Sequence, residues 1–571
     1  MRRSLVALIG LVFVAAACGG ATTSAPPSAS QPGTSSAPAA SPSPAAAGGI
    51  VTVGLYQEPD NLNPYLAVQT ASRLVRQITL EGLLKADPSG AYVPGLAAEV
   101  PTVENGGISA DGLTITYKLK PGLTWSDGDP VTSADVKFTW DLIMDPASKV
   151  NSQTGYKNIE SIETPDDTTV VVKFKELYAA ALSLFSIQGA VLPAHVLQGK
   201  PLDGAEFNRV PEGTGPFMVT EWKSADSIIA DRNPNYRDAG KPGLDRIVFK
   251  IIPSNEVGSA QIRSGEIDVL WNLTEAQISE FEAIPDIALQ VTPSSNIEYL
   301  GLNLSMRGMA DPSMPHPILG DRAVREALAS AIDRTPIIDD LLNGKSEVAT
   351  SPIGLGWASP EGIAVPAYDP AKAQSLLESA GWVDGDGDGI REKGGTKLSL
   401  EISTPAGSQL RELSEALLQE QFKAVGIDLV INNVPAATLF GNWAENGKLK
   451  RGDFDIVMDT WGADLDPDDF LSTLFTSDQI PTEANSGEGW NFFRLQDPAL
   501  DQAIADGRAS LDQNVRKAAY KTAAERIADN IVYIPLYKRS KIDAFRNTVT
   551  GQMPNPWADF TWNALDWAKS E

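Results

Sequence analysis

The sequence predicts an α/β fold of about three domains, and three observations carry that prediction. Short apolar runs of strand character alternate irregularly with amphipathic stretches of helical period. At ~100–200 residues per domain, 571 residues are enough for three or so cores. From Ile50 onward no run reaches about 18 apolar residues and no repeat of ~20–50 residues occurs, which excludes a further membrane span and a solenoid.

The N-terminus is a separate element. Arg2 and Arg3 precede the 13-residue uncharged run Leu5 to Ala17, which ends in Ala15-Ala16-Ala17 before Cys18-Gly19. A basic start, a short apolar run and small residues before a cut describe a signal peptide over 1–17, too short for the ~20 residues of a bilayer span. A cysteine at the cut resembles the lipobox of bacterial lipoproteins, so Cys18 is the expected lipidation site, with Ala15 departing from the usual Leu. The alternative is an ordinary signal peptide with an incidental cysteine. Residues 18–49 are rich in Ala, Ser and Pro and carry no charge, the composition of a disordered linker.

The folded elements follow in order. A strand is expected at 51–55, and period-two alternation predicts another at 113–120, closed by Pro121-Gly122 and Asp127-Gly128 turns. Thr132 to Asp135 resembles a capping box, with Val136, Trp140 and Ile143 at helical spacing behind it, so a helix is expected over 133–144. β-rich runs mark strands at 169–174, 247–252 and 299–304. Asp321 can cap a helix with the stripe Val324, Leu328 and Ile332; Thr335-Pro336 starts another that stops at Gly344. Helices are also expected at 371–380, 409–425 and 514–530, and strands at 427–431, 456–458 and 531–536.

Composition narrows function. With 73 Asp+Glu against 46 Lys+Arg, the net charge of −27 repels a phosphate backbone and excludes nucleic acid as a partner. One cysteine makes no intramolecular disulfide, and two histidines build no His-rich zinc site. His195 and His316 lie in Pro-rich loops without a second ligand at i+3 or i+4. Gly344-Lys345-Ser346 has Asp339 where a phosphate loop needs its first glycine, and Gly213-Thr214-Gly215-Pro216 reads as a turn. No nucleophile motif appears, although with 73 acids a carboxylate-pair hydrolase stays open as a reading.

Two acidic motifs remain. Asp384, Asp386 and Asp388 occupy the first, third and fifth positions of a calcium loop, with Gly389 at the sixth, but the twelfth is Gly395 and Glu392 comes three residues early. Structural calcium and a solvated acidic turn both fit; no other cofactor is expected. The second motif runs from Phe454 to Asp469. Pro467 and its acids suit a helix start. Trp461 and Asp464 at a strand end, beside backbone exposed by Gly462, also suit the positive end of a ligand.

Several stretches together resemble the extracytoplasmic solute-binding proteins of peptide ABC importers, the dipeptide/oligopeptide-binding family (family 5). The segment Leu119 to Val136, containing Trp125-Ser126-Asp127-Gly128, looks like its signature; Gly213 to Phe217, Arg322 to Leu328, Trp461 to Pro467 and Arg516 to Pro535 extend the likeness over nearly all of 50–571. The resemblance implies a two-lobed periplasmic-binding fold with an extra domain: lobe I from 50–72, 198–293 and 536–571, the additional domain 73–197, lobe II 294–535, and hinge strands near 292–303 and 530–538. It implies that Asp464 receives a peptide α-ammonium, with Trp461, Gly462 and Ala463 beside the ligand. It further implies a lipid-anchored monomer at the extracytoplasmic face of a bacterial cytoplasmic membrane. That monomer would capture short peptides for a permease whose ATPase subunits are other chains. The acidic loop at 384–389 is familiar in the family without being a ligand site. The rival ligand is an oligosaccharide stacked on Trp443, Trp461 or Trp490.

Overall fold

Ten segments pair into one sheet, numbered here in chain order: β1 (Ile50–Leu55), β2 (Phe217–Lys223), β3 (Ser227–Arg232), β4 (Arg246–Ile251), β5 (Val269–Leu270), β6 (Ile287–Leu302), β7 (Ser399–Ser403), β8 (Asp428–Ile431), β9 (Ile456–Gly462) and β10 (Tyr533–Arg546). Their order is β8-β7-β9-β6-β10-β5-β1-β4-β3-β2. The structure is a computed structural model and describes residues 48–570 except 68, 187–188, 203 and 310–312. Residues 1–47, which carry the signal peptide, Cys18 and most of the linker expected from sequence, lie outside the described residues.

The two longest strands join the halves of the sheet. β6 and β10 run antiparallel from Ile287↔Arg546 to Gly301↔Tyr533, and their register slips between Pro293 and Ile297 and again at Glu298/Tyr299. Proline cannot donate to a ladder, so the break at Pro293 is where a long strand pair is easiest to bend. On one side β9 pairs antiparallel with β6, and β7 lies parallel to both β9 and β8. On the other, β5 pairs antiparallel with β10, β1 lies parallel to β5 and β4, and β4, β3 and β2 form an antiparallel meander.

Apolar residues gather into separate cores on these elements. One surrounds Trp125 and is built from a three-stranded sheet (Thr114–Lys118, Ile159–Asp166, Thr169–Phe174) and the helix Ser133–Met144. A second, with Val51, Val53, Phe249 and Trp567, packs around β1 and β4. A third, with Leu300, Leu302, Leu400 and Met458, packs around β6, β7 and β9. At roughly 1.5–3 kcal/mol per buried large apolar side chain, each core holds its own elements.

Most predicted elements fall within a residue or two of place. The helix at 133–144 is Ser133–Met144, and Asp135 Oδ2 accepts from Thr132 N (2.8 Å). Asp321 accepts from Ala323 N (3.0 Å) and caps Arg322–Ser330. Pro370–Ser379, Gln409–Lys423 and Gln513–Asn530 are helices. Three expectations are corrected. The helix at 335–344 is a wide turn over Ile337–Leu341, closed by Leu342 N on Ile337 O (3.0 Å), so that Ile337 and Leu342, five apart, both reach the core. The strands expected at 299–304 and 531–536 are the ends of the much longer β6 and β10. His195 sits on the short helix Ala194–Leu197 instead of a loop.

Candidate functional site

The connection after β9 carries the acidic motif to a cavity. Gly462 pairs with Asn296 of β6, and a Cβ there would stand 2.3 Å from Ser295 O, so only glycine permits this approach. The chain then leaves the sheet, buries Ala463, exposes Asp464 and enters the helix Asp468–Phe475 behind Pro467. On this one stretch the acids open a helix, and Asp464 lies before that helix on a cavity wall.

The cavity has a volume of about 420 Å³. Tyr65, Arg73 and Arg76 line it from the N-terminal segment, Tyr92, Tyr156 and Tyr178 from the elements around the Trp125 core, and Asp464, Asp466, Asp469 and Trp557 complete it. The aromatic rings give sequence-tolerant contact area while the charges fix orientation. Of the four residues expected at a ligand, Asp464 is on the wall, whereas Trp461, Gly462 and Ala463 are not among the lining residues. Trp461 packs edge-on against Trp490 (5.6 Å) and near Phe470 (6.5 Å), as a support of the loop. Trp443 and Trp490 are covered by Arg451 (3.9 Å) and Lys450 (4.3 Å), and neither lines the cavity.

Charge on the walls is organised by ion pairs. Arg73 Nε meets Asp559 Oδ2 at 2.5 Å, and Asp559 together with Asp464 raises the Arg73 pKa above its ordinary value. Burial opposes ionisation of Asp559, but Arg73 and Lys541 outweigh it and hold the carboxyl below its usual range. Arg516 grips Asp466 at 2.8 Å and fixes the loop from below. Asp469 is raised chiefly by burial.

The wall residues from 65 to 92, together with Trp557 and Asp559, escaped the sequence reading. One signal was available: Arg73 and Arg76, three apart on the helix Thr70–Thr79, share a face opposite buried Leu74, Val75 and Ile78.

The other marked residues lie elsewhere. His316 is buried; its Nδ1 accepts from Ile318 N (3.1 Å) and Leu319 N (2.9 Å), which leaves the proton on Nε2 to bond Asp455 (3.0 Å). His195 Nε2 meets Asp127 (2.8 Å) on the signature turn. Asp384, Asp386 and Asp388 do gather at 384–389, but Lys397 pairs with Asp386 (3.2 Å) and with Asp388, and Asp384 accepts from Gly387 N (2.7 Å) and Gly389 N (3.0 Å). Lys397 and the loop's own backbone N–H groups thus answer part of its charge.

Comparison with known proteins fits this geometry. The family model for bacterial extracellular solute-binding proteins, family 5, matches residues 91–482. The oligopeptide-binding protein AppA of Bacillus subtilis is 29% identical over 531 residues, 91% of each chain. Its structure in complex with a nonapeptide aligns with a TM-score of 0.75 at 27% identity, covering 92% of this chain and 99% of AppA. The glutathione-binding protein GsiB of Escherichia coli is 25% identical over 517 residues, 90% of this chain and 94% of GsiB. NikZ of Campylobacter jejuni in complex with Ni(L-His) aligns with a TM-score of 0.76 at 27% identity, covering 91% of this chain and 99% of NikZ. The architecture is the α/β, two-lobed periplasmic-binding fold with an added domain. No helix among the described residues is long and apolar enough to cross a membrane.

Proposed function

Because the chain belongs to the bacterial extracellular solute-binding proteins, family 5, the substrate-binding components of ABC importers, we propose that its own cargo is short peptides held in the cavity at Asp464. One observation carries this reading: the aspartate that the family resemblance marks as an ammonium acceptor stands exposed on a wall of tyrosines, apart from the Arg516-bound Asp466. An ammonium there exchanges water for a charge-assisted bond in a partly enclosed site. AppA and GsiB, named for an oligopeptide and for glutathione, support a peptide; NikZ with Ni(L-His) keeps a small metal complex as the second reading.

In this proposal Cys18 is lipidated and holds a monomer at the extracytoplasmic face of the bacterial cytoplasmic membrane. The linker to 49 is its tether, and the permease and its ATPase subunits are other chains. Lobes at 50–72 with 198–293 and 536–571, and at 294–535, with 73–197 as the added domain, are supported by the sheet halves meeting at β6 and β10. Solute between them favours the closed state by touching both.

The test is calorimetry of Asp464→Ala against a synthetic peptide that binds the wild type. Affinity should fall roughly tenfold or more for the lost charge-assisted bond. Equal affinity would remove the ammonium role. Retention of a metal–histidine complex in place of every peptide would favour the second reading.

A further inference from the structure

Trp557 joins three parts of the molecule at the edge of the cavity. A Cβ placed on Gly90, beside the short strands Leu84–Ala86 and Tyr92–Pro94, would stand 2.9 Å from the indole nitrogen. One placed on Gly356 would stand 2.7 Å from Cη2, at the far end of the same ring. Two glycines thus clear room for one side chain. On the boundaries given above, Gly90 lies in the added domain, Gly356 in lobe II and Trp557 in the C-terminal part of lobe I.

The indole is mounted from one side. Trp557 N donates to Asn555 Oδ1 (2.9 Å), and buried Asn555 donates through Nδ2 to Ala86 O (3.1 Å) beside Gly90. Lys541 of β10 holds the same tail through Pro556 O (3.3 Å) and Ala558 O (2.8 Å). The other side is a socket in lobe II. Trp357 Nε1 donates to Leu465 O (3.1 Å) and so ties the Gly356 turn to the loop that carries Asp464.

A second contact joins the added domain to lobe II beside Tyr178, another residue of the cavity wall. Ala179 N donates to Arg508 O (3.3 Å), one of the last carbonyls of the helix Pro498–Arg508, which no turn of its own helix can satisfy. Leu177 and Leu511 meet over Gly112, each within 3.1 Å of a Cβ built there. Separating the two domains would return the indole and both leucines to water, so this apolar surface favours contact whatever the cavity holds.

We propose that Trp557 is a wedge that keeps the added domain and lobe II closed on the cavity without help from a solute. A solute shifts a closure equilibrium only by its different affinity for the two states. With the wedge in place the Asp464 loop is already in position, and affinity is not reduced by a fraction of open molecules. The wedge depends on the domain boundaries and on no reading of the cargo, so a solute other than a peptide would leave it standing.

The experiment uses the full chain with Cys18→Ser, so that two introduced cysteines alone carry spin labels: Glu104→Cys in the added domain and Lys517→Cys in lobe II, both exposed. Their separation is read by double electron–electron resonance on protein shown by native mass spectrometry to hold no solute. The labelled chain should give the single distance of the structure described here. Trp557→Ala should move the closed-to-open ratio roughly tenfold or more toward a longer distance, as for a large apolar side chain lost from an interface. Trp557→Phe should keep most of the closed form. Gly356→Ala, which crowds the indole from lobe II, should shift the ratio the same way as Trp557→Ala. A solute-free chain that is already open overturns the wedge, as does a Trp557→Ala distribution identical to that of the parent. If Trp557→Ala fails to fold, the parent distance and Gly356→Ala decide by the same criteria.

Discussion

Two charged clusters, one at the joint of the sheet and one on the cavity wall, are built on opposite principles. At the joint of the sheet, Glu298 of β6 is 0% exposed and is met by Arg411 Nε (2.5 Å), Arg539 Nη1 (3.1 Å) and the Thr460 hydroxyl. Burial works against its charge, yet the two arginines win and hold it below the ordinary carboxylate range. On the cavity wall, Arg76 makes one long hydrogen bond near Asp559, and Asp464 is exposed. A buried charge met by several groups of the protein belongs to the fold, whereas a charge on a cavity wall is within reach of a solute.

That contrast is easiest to break at Glu298. Glu298→Gln removes the buried countercharge of two guanidiniums, and should cost about 3–5 kcal/mol in urea denaturation; a loss below about 1 kcal/mol would mean the joint tolerates unpaired charge. The next largest effect concerns Asp543 of β10, which burial lifts to about 7 from an ordinary 3.8. Between those values the folded state keeps a proton that the unfolded chain has released. Stability from this group is therefore full below about pH 4 and is lost as pH rises through about 7. Asp543→Asn should flatten the decline between pH 5 and 8 by on the order of 2 kcal/mol, only in part, because Asp459 (about 6) and Glu415 (about 7) are raised by burial too. An unchanged slope in the variant would move the proton elsewhere.

Asp464→Ala tests the other side of the comparison. Its stability should stay within about 0.5 kcal/mol of wild type, as for an exposed residue, while peptide affinity falls as stated above; a large stability loss would place Asp464 with Glu298. The smallest effect is at the acidic loop. With Lys397 already on two of its carboxylates, millimolar calcium or its removal by chelator should move the midpoint of thermal unfolding by less than about 2 °C. A clear calcium-dependent rise would support the metal reading of Asp384, Asp386 and Asp388.

Local chemistry made much of the fold legible. Capping residues such as Asp321 and alternation such as 114–118 act within a few residues, and the structure uses them as read. The joint was legible only at its ends, because the outer parts of β6 and β10 mix polar residues with apolar ones: their ladders are satisfied by each other across more than 200 residues of sequence, and no local pattern announces that. The site divided in the same way. Asp464 was reachable because it sits in a compact motif after a strand. Arg76, Tyr92 and Trp557 were not, since a helix, a short strand and a segment near the far end of the chain bring them together only at the cavity. The expected places of Gly462 and Ala463 beside the ligand came from the family resemblance; in the structure they lie on the turn off β9 next to the cavity wall that carries Asp464.

The path of β10 has a consequence for how the molecule is made. β10 lies between β6 and β5 in the sheet, and the segment after it supplies Trp557 to the cavity and Asp559 to Arg73. The contacts that join β5 to β10 thus span about half of the described chain, and the Arg73–Asp559 pair spans most of it, an ordering that raises contact order and slows folding. A nascent chain ending short of residue 533 has neither a joined sheet nor a complete binding wall. Joining of the two halves of the sheet therefore waits until residues 533–559 are available, even where separate cores such as that around Trp125 have already formed. Architecture and binding competence then arrive in the same step.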